Sequence, residues 1–125
     1  IDKMLDFLVA SSLSEIRESV AQQIKDKISN DARITYARNI DEAIGLYHQS
    51  IYAGVILIDD FQEPSKTAID FLKYIASELP MRDRRRIYVT NQRNIEPVIT
   101  STYGSRCIGT DIDKVAERIL PFLQG

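Results

Sequence analysis

Tyr52–Pro64 reads YAGVILIDDFQEP. Its centre, Val55-Ile56-Leu57-Ile58, is apolar without a break and ends on two carboxylates, Asp59 and Asp60. A run this short, rich in β-branched residues and preceded by Gly54, predicts a strand buried on both faces. Such strands belong to parallel sheets covered by helices, which carry their sites at the carboxyl ends of the strands. The stretch therefore predicts two acids delivered to the functional edge of the fold.

Working outward, Leu5–Ala10 (LDFLVA) predicts a first strand that stops at Ser11-Ser12. Ser12 and Glu15 have capping-box spacing. Ile16, Val20, Ile24 and Ile28 recur every fourth residue, the inner face of a helix running to about Ile28. Arg33–Ala37 alternates like an edge strand. Asn39 and Glu42 cap a second helix, with Ile40, Ala43, Ile44, Tyr47 and Ile51 on its inner face. Beyond the central strand, Phe61–Lys66 is a polar loop containing Pro64. A third helix turns Ile69, Leu72, Ile75 and Leu79 inward and ends before Pro80. Ile87–Thr90 is a fourth strand. Asn94 caps a short helix with Pro97 in its first turn. Arg106–Gly109 is a fifth strand. Asp111 caps the last helix, with Val115, Ala116, Ile119, Phe122 and Leu123 inward.

Five β-α units joined by short linkers and right-handed crossovers predict an α/β fold. It is a single (βα)5 doubly wound parallel sheet of flavodoxin-like order 2-1-3-4-5, with its crevice at the ends of the first and third strands. One domain spans residues 1–125. The start at Ile1 rather than Met predicts a domain cut from a longer multidomain chain.

The net charge of −2 offers no long-range attraction to nucleic acid or to an anionic membrane. No apolar run approaches a membrane span. The single cysteine, Cys107, excludes an internal disulfide and fits a reducing, cytoplasmic setting, and reads as a small core residue. One histidine, His48, leaves no zinc-type cluster; it reads as structural or exposed. The run Arg82-Asp83-Arg84-Arg85-Arg86 precedes the fourth strand, at the amino end of the sheet and away from the crevice. It reads as a solvated loop or as a dock for an acidic partner.

The predicted crevice collects Ser11, Ser12, Asp59, Asp60, Thr90 and Thr110, with Gln62, Asn91 and Gln92 on the adjacent loops. The set holds acids, hydroxyls and amides, and no cation. Within it, Asp60-Phe61-Gln62-Glu63-Pro64 resembles the phosphoacceptor motif of the receiver domains of two-component response regulators. That family ends its third strand on an Asp and places a Pro four residues on. Ser65-Lys66-Thr67-Ala68-Ile69-Asp70-Phe71-Leu72 follows without a gap over the family's helix entry. Thr67-Ala68 stands where Asp-Gly is usual, and Asp70 where Glu is usual. Thr90 ends the fourth strand where the family keeps Ser or Thr. The resemblance covers Leu5 to Leu123.

The departures are chemical. Receivers carry an acidic pair after the first strand that helps hold Mg²⁺; here Ser11-Ser12 aligns with it. They carry a Lys at the end of the fifth strand that meets the phosphoryl group; here Thr110 is the best match. Lys66 matches the entry to the third helix rather than that pocket. Cys107 aligns with the aromatic switch residue. Of these positions only Asp60 and Thr90 are kept, so the chain resembles a degenerate receiver, a pseudoreceiver.

Moving a phosphoryl group onto a carboxylate brings anions together and needs a metal and a cation. Mg²⁺ wants anionic oxygens, for which neutral serine hydroxyls are poor substitutes. Losing one strong electrostatic contact of this kind costs about 3–4 kcal/mol of transition-state stabilisation. The resemblance therefore implies a non-enzymatic signalling module of bacterial phosphorelay type, with Asp60 a vestigial acceptor, no catalytic residue, no resident metal and no cofactor. Its expected partner is a protein, through the face spanning 94–123, or a second copy in a homodimer.

Two alternatives accompany that reading. One is a working atypical receiver, phosphorylated on Asp60 with Mg²⁺ and with Asp59 as replacement acid. Adjacent strand residues point to opposite faces, so that rescue needs the chain to turn at Asp59. Thr90 would otherwise be a buried hydroxyl bonded to backbone. The other is a flavodoxin-like module for a flavin or nucleotide. Ser11-Ser12-Leu13-Ser14 would be its phosphate loop, but it has no glycine to let the backbone approach.

Overall fold

The computed structural model describes residues 5–60, 67–78, 85–90 and 96–124. Residues Gly54–Leu57 form the central strand, β3, and every one of them is buried. Its neighbours are β1 (Asp6–Ala10) and β4 (Ile87–Val89), with β2 (Arg33–Ala37) and β5 (Arg106–Cys107) at the edges. All pairings are parallel and the order is β2-β1-β3-β4-β5, as the β-α alternation predicts. Register is set across β3 by Val9 opposite Ile56 and Ile56 opposite Tyr88.

Two apolar layers follow from the alternation of strand side chains. Leu8, Ala10, Val55, Leu57, Ile87 and Val89 pack on one face against α2 (Ile40–Tyr47) and α3 (Ala68–Ala76). Phe7, Val9, Ile56, Ile58 and Tyr88 pack on the other, against α1 (Ser14–Lys27) and α5 (Val115–Gln124). The short helix α4 (Val98–Thr102) is wound as a π-helical turn and buries Ile99. A 3₁₀ turn, Ile112–Lys114, leads into α5. Gln23 ties α1 to that turn: its Nε2 donates to the Ile112 carbonyl (2.7 Å) and its Oε1 accepts from the Ala116 N–H (3.2 Å). This occupies a helix-start N–H that has no partner within its own helix. Lys27 pairs with Glu117 nearby at 3.0 Å, and that hydrogen bond holds the Glu117 carboxyl below its ordinary range.

Helix starts follow local chemistry in most places. Asn39 accepts from the Glu42 N–H (2.8 Å), and Asp111 from the Asp113 N–H (3.1 Å), as their positions predict. At α3 the Thr67 N–H donates to Asp70 Oδ2 (2.7 Å). The expected Ser12–Glu15 cap does not form: Leu13 is the N-cap of α1, with no side-chain cap bond. The hydroxyls of Ser11 and Ser12 are engaged elsewhere, as described below. Ile51 is not on the inner face of α2, because that helix ends at Tyr47 and the periodicity ends with it; Ile51 is 84% exposed. Tyr52 is buried in its stead, its hydroxyl donating to the Leu46 carbonyl (3.0 Å). Phe122 is likewise not core but 46% exposed. On α3, Phe71 is fully buried although it was not expected on the inner face, while Ile69 is only partly buried. The expected positions of Leu79, Pro80 and Asn94, and of the 61–66 loop, lie outside the described residues.

Gly54 opens β3 at a place where a side chain would crowd two aromatic rings. A Cβ at Gly54 would stand 3.1 Å from the Phe7 ring and 3.3 Å from that of Tyr88. Gly54→Val is expected to destabilise the fold by about 1–3 kcal/mol through overpacking. Urea unfolding of both proteins checks this, and an unchanged midpoint would contradict the close approach.

Candidate functional site

The carboxyl end of β1 meets the carboxyl end of β3 where the chain leaves both strands. The Ser11 N–H is still in the sheet, donating to the Ala37 carbonyl (3.1 Å), and the residue is fully buried. The Ile58 N–H donates to the Ala10 carbonyl (2.9 Å), which brings the next residues of the two strands side by side. After Ile58 the backbone folds sharply: the Asp60 N–H donates back to the Ile58 carbonyl (2.7 Å). That turn separates the two acids. Asp59 is buried, 1% exposed, and its N–H donates to Thr90 Oγ1 (2.9 Å). Asp60 is half-buried and faces the serines.

Both Asp60 carboxylate oxygens accept hydrogen bonds. Ser11 Oγ donates to Oδ2 at 2.6 Å, and the Ser12 N–H donates to Oδ1 at 3.0 Å. Ser12 Oγ adds a bond to the Asp60 carbonyl (3.2 Å). Ser11 Oγ also accepts from the Leu13 N–H (3.1 Å), so this hydroxyl rather than a Ser12 cap serves the start of α1. The arrangement is a closed clamp: two serines in series hold one carboxylate. It uses the same backbone donor that a phosphate loop would offer to a ligand.

Of the expected set, the structure joins Ser11, Ser12 and Asp60 directly, and Thr90 with Asp59. Thr90 is a buried hydroxyl accepting from backbone, and its own N–H is in the sheet with the Leu57 carbonyl (3.0 Å). Thr110 is exposed and has no hydrogen bond to the clamp. Gln62, Asn91, Gln92 and Lys66 lie outside the described residues.

Sequence reasoning missed Arg17. Its Nη1 donates to the Ser11 carbonyl at 2.7 Å, so a guanidinium backs the residue that holds Asp60. The signal was available in principle. A side chain in the first turn of a helix leans toward the helix N-terminus, and here that end abuts β1. Cys107 in β5 is half-buried, and burial pushes its thiol pKa up.

Among the described residues the donors of the clamp do not fit Mg²⁺. Among the described residues no group of three or more His, Cys, Asp or Glu side chains is placed to hold a metal ion. Asp60 already accepts from two donors, and the Ser11 hydroxyl points its proton at the carboxylate. A hard divalent cation wants several anionic oxygens converging on one point.

No family model matches the chain, and no curated protein matches it by sequence. Its fold is nevertheless well represented among solved structures. The receiver domain of Francisella response regulator 1452 superposes with a TM-score of 0.74 at 14% identity, covering 96% of this chain and 97% of the other. The chemotaxis response regulator CheY4 of Vibrio cholerae gives 0.68 at 18% identity, over 98% of each chain. Response regulator TrrA of Thermotoga maritima, solved in complex with Mg²⁺-BeF, gives 0.72 at 16% identity, over 94% of this chain and 98% of that one. The chain therefore has the fold of response-regulator receiver domains.

If the clamp is a single energetic unit, its members are coupled. Ser11→Ala and Asp60→Ala are each expected to destabilise the domain, with a coupling of about 1–2 kcal/mol between them in a double-mutant cycle. Denaturant unfolding of the four proteins reads this. Additive losses would show that the 2.6 Å bond carries no stability.

Proposed function

We propose that this domain is a receiver-like signalling module that works through protein contacts and does not take a phosphoryl group on Asp60 by the Mg²⁺-dependent route. The observation that carries the reading is the clamp. Ser11 and Ser12 stand where receivers present metal-holding acids, and both direct donors at Asp60. A carboxylate whose two oxygens each accept a hydrogen bond is a weaker nucleophile toward phosphorus than a free one. No second anionic ligand among those donors helps a metal to assist it. The module would have no reaction of its own. It would act in a bacterial phosphorelay-type protein in the cytoplasm, with a protein partner on the face formed by α4, β5 and α5 or with a second copy of the chain.

A single observation favours the atypical working receiver instead. Arg17 brings a positive charge to the clamp that the receiver alignment did not provide. Its guanidinium, however, donates to the Ser11 carbonyl and makes no ion pair with the carboxylate. The flavin or nucleotide reading is weaker still. The Ser12 N–H that would meet a phosphate is bound to Asp60, and adding a second anion beside that carboxylate is unfavourable.

Incubation with Mg²⁺ and a small-molecule phosphodonor, read by intact mass, is expected to give no adduct. A phosphate adduct that disappears in Asp60→Ala would overturn the proposal in favour of a working receiver. A complementary gain-of-function test replaces both serines. Ser11→Asp/Ser12→Asp is expected to acquire Mg²⁺ binding, seen as stabilisation of about 1.4 kcal/mol at ten times Kd. The parent protein is expected to show none.

A further inference from the structure

The opposite, amino edge of the sheet carries a second and chemically different surface. Arg86 is fixed there by the sheet itself, its carbonyl accepting from the Val55 N–H at 2.9 Å. Arg106 sits in β5 opposite Tyr88, and its guanidinium carbon lies 3.8 Å over the Phe122 ring. Phe122 in turn stacks on Tyr88, with ring centroids 6.1 Å apart. Arg85, Arg86, Tyr88, Arg106 and Phe122 line one hollow of about 290 Å³. The charges of Arg106 and Arg86 reach the Tyr88 hydroxyl: burial raises its pKa and the two guanidinium groups pull against that rise.

Three cations thus converge on one hollow in a chain whose net charge is −2. Among the described residues the ion pairs are Lys27–Glu117 and Arg38–Glu42, and neither involves these arginines. Glu96 lines the adjoining hollow on the α4 side, which Arg85, Arg106 and Phe122 also border, without forming an ion pair with either arginine. Arg86 also forms the border of a second, largely apolar hollow of about 320 Å³, lined by Tyr47, Ile51, Tyr52 and Val55. The exposure of Ile51 and Phe122, which a core-building reading of the sequence does not account for, places one apolar group at each hollow.

We propose that this amino edge docks an acidic peptide segment of a partner protein. Its carboxylates would lie on Arg85, Arg86 and Arg106, and a neighbouring apolar side chain would fill the Tyr47–Tyr52 hollow. Charge complementarity selects the sign of the ligand, since arginine forks match carboxylates. The adjoining apolar hollow selects a peptide over a bare polyanion, because phosphate backbones and lipid headgroups have nothing to place there. An extended polyanion would also meet the rest of a net-negative surface. This surface is at the other end of the sheet from Asp60, so the inference stands whether or not Asp60 is ever phosphorylated.

The test is an amide NMR titration of the whole domain with a synthetic peptide of alternating Glu and Leu. An otherwise identical Lys/Leu peptide and an oligothymidylate serve as comparison probes. Shifts are expected at Ala53, Arg86, Tyr88, Arg106 and Phe122 with the acidic peptide alone, and added salt should weaken them. Arg85→Ala/Arg86→Ala is expected to raise Kd about tenfold. Ile51→Ser should raise it about fivefold through the apolar contact. These three side chains are exposed, so the variants should keep the parent spectrum away from the patch. The proposal is overturned by shifts that map to Ser11–Asp60 and spare Arg86, Tyr88 and Arg106, or by affinity unchanged in the arginine variant. Equal or tighter binding of the oligothymidylate also overturns it. So does a concentration-dependent dimer that Arg85→Ala/Arg86→Ala abolishes, which would make a second copy the occupant.

Discussion

Covering β3 on both faces is the constraint from which the rest follows. Gly54 to Ile58 offers no side chain that water would retain, and every one of those residues is buried. A strand of that kind needs an apolar layer above and another below it, and two helices on each face provide them. Parallel neighbours then require crossover helices, and the shared strand direction puts the carboxyl ends of all strands at one edge. The two acids after Ile58 emerge on that side because the apolar run stops there.

What those acids become depends on a tight turn. A strand continued past Ile58 would send Asp59 and Asp60 to opposite faces. Instead the Asp60 N–H folds back on the Ile58 carbonyl, and the two residues take different environments. Thr90 secures the backbone of one, and two serines hold the side chain of the other. Hydrogen bonds to a carboxylate are stronger than those between neutral groups, so the two bonds to Asp60 hold its side chain firmly in place. The chemistry that receivers direct at this position would have to compete with those bonds.

The sheet thus separates two kinds of surface by its polarity. At the carboxyl edge an acid is satisfied internally by neutral donors. At the amino edge three arginines line one hollow with two stacked aromatic rings, one guanidinium lying over Phe122, and apolar side chains are left in water. Stacking explains why Phe122 tolerates its exposure: a guanidinium over one face and Tyr88 against it shield part of the ring. The contact of the planar guanidinium with the ring also helps to fix Arg106 in direction.

The β-α alternation, the strand order and the buried β3 were legible from the sequence, because they rest on periodicity and chain connectivity. Asn39 and Asp111 were legible as caps for the same reason: cap and target are neighbours in the chain. The residues of the candidate clamp were legible as a group, since strand ends converge wherever the topology is known. Their bonds were not. Ser12 has the spacing of a local cap, but it lies beside Asp60 in space, and the bond to that residue is the one it makes. Arg17, Ile51 and Phe122 were misplaced or missed for related reasons. Helical periodicity describes a face only while the helix lasts, as at Ile51 beyond Tyr47; inside α5 it does not show that Phe122 lies under Arg106 with much of its ring in water; and it does not say which charge waits across a crevice. Sequence alone determined which residues leave water and in what order the chain must run. Only the tertiary structure decided which polar group each donor meets, because that choice depends on ångström distances between segments far apart in the chain.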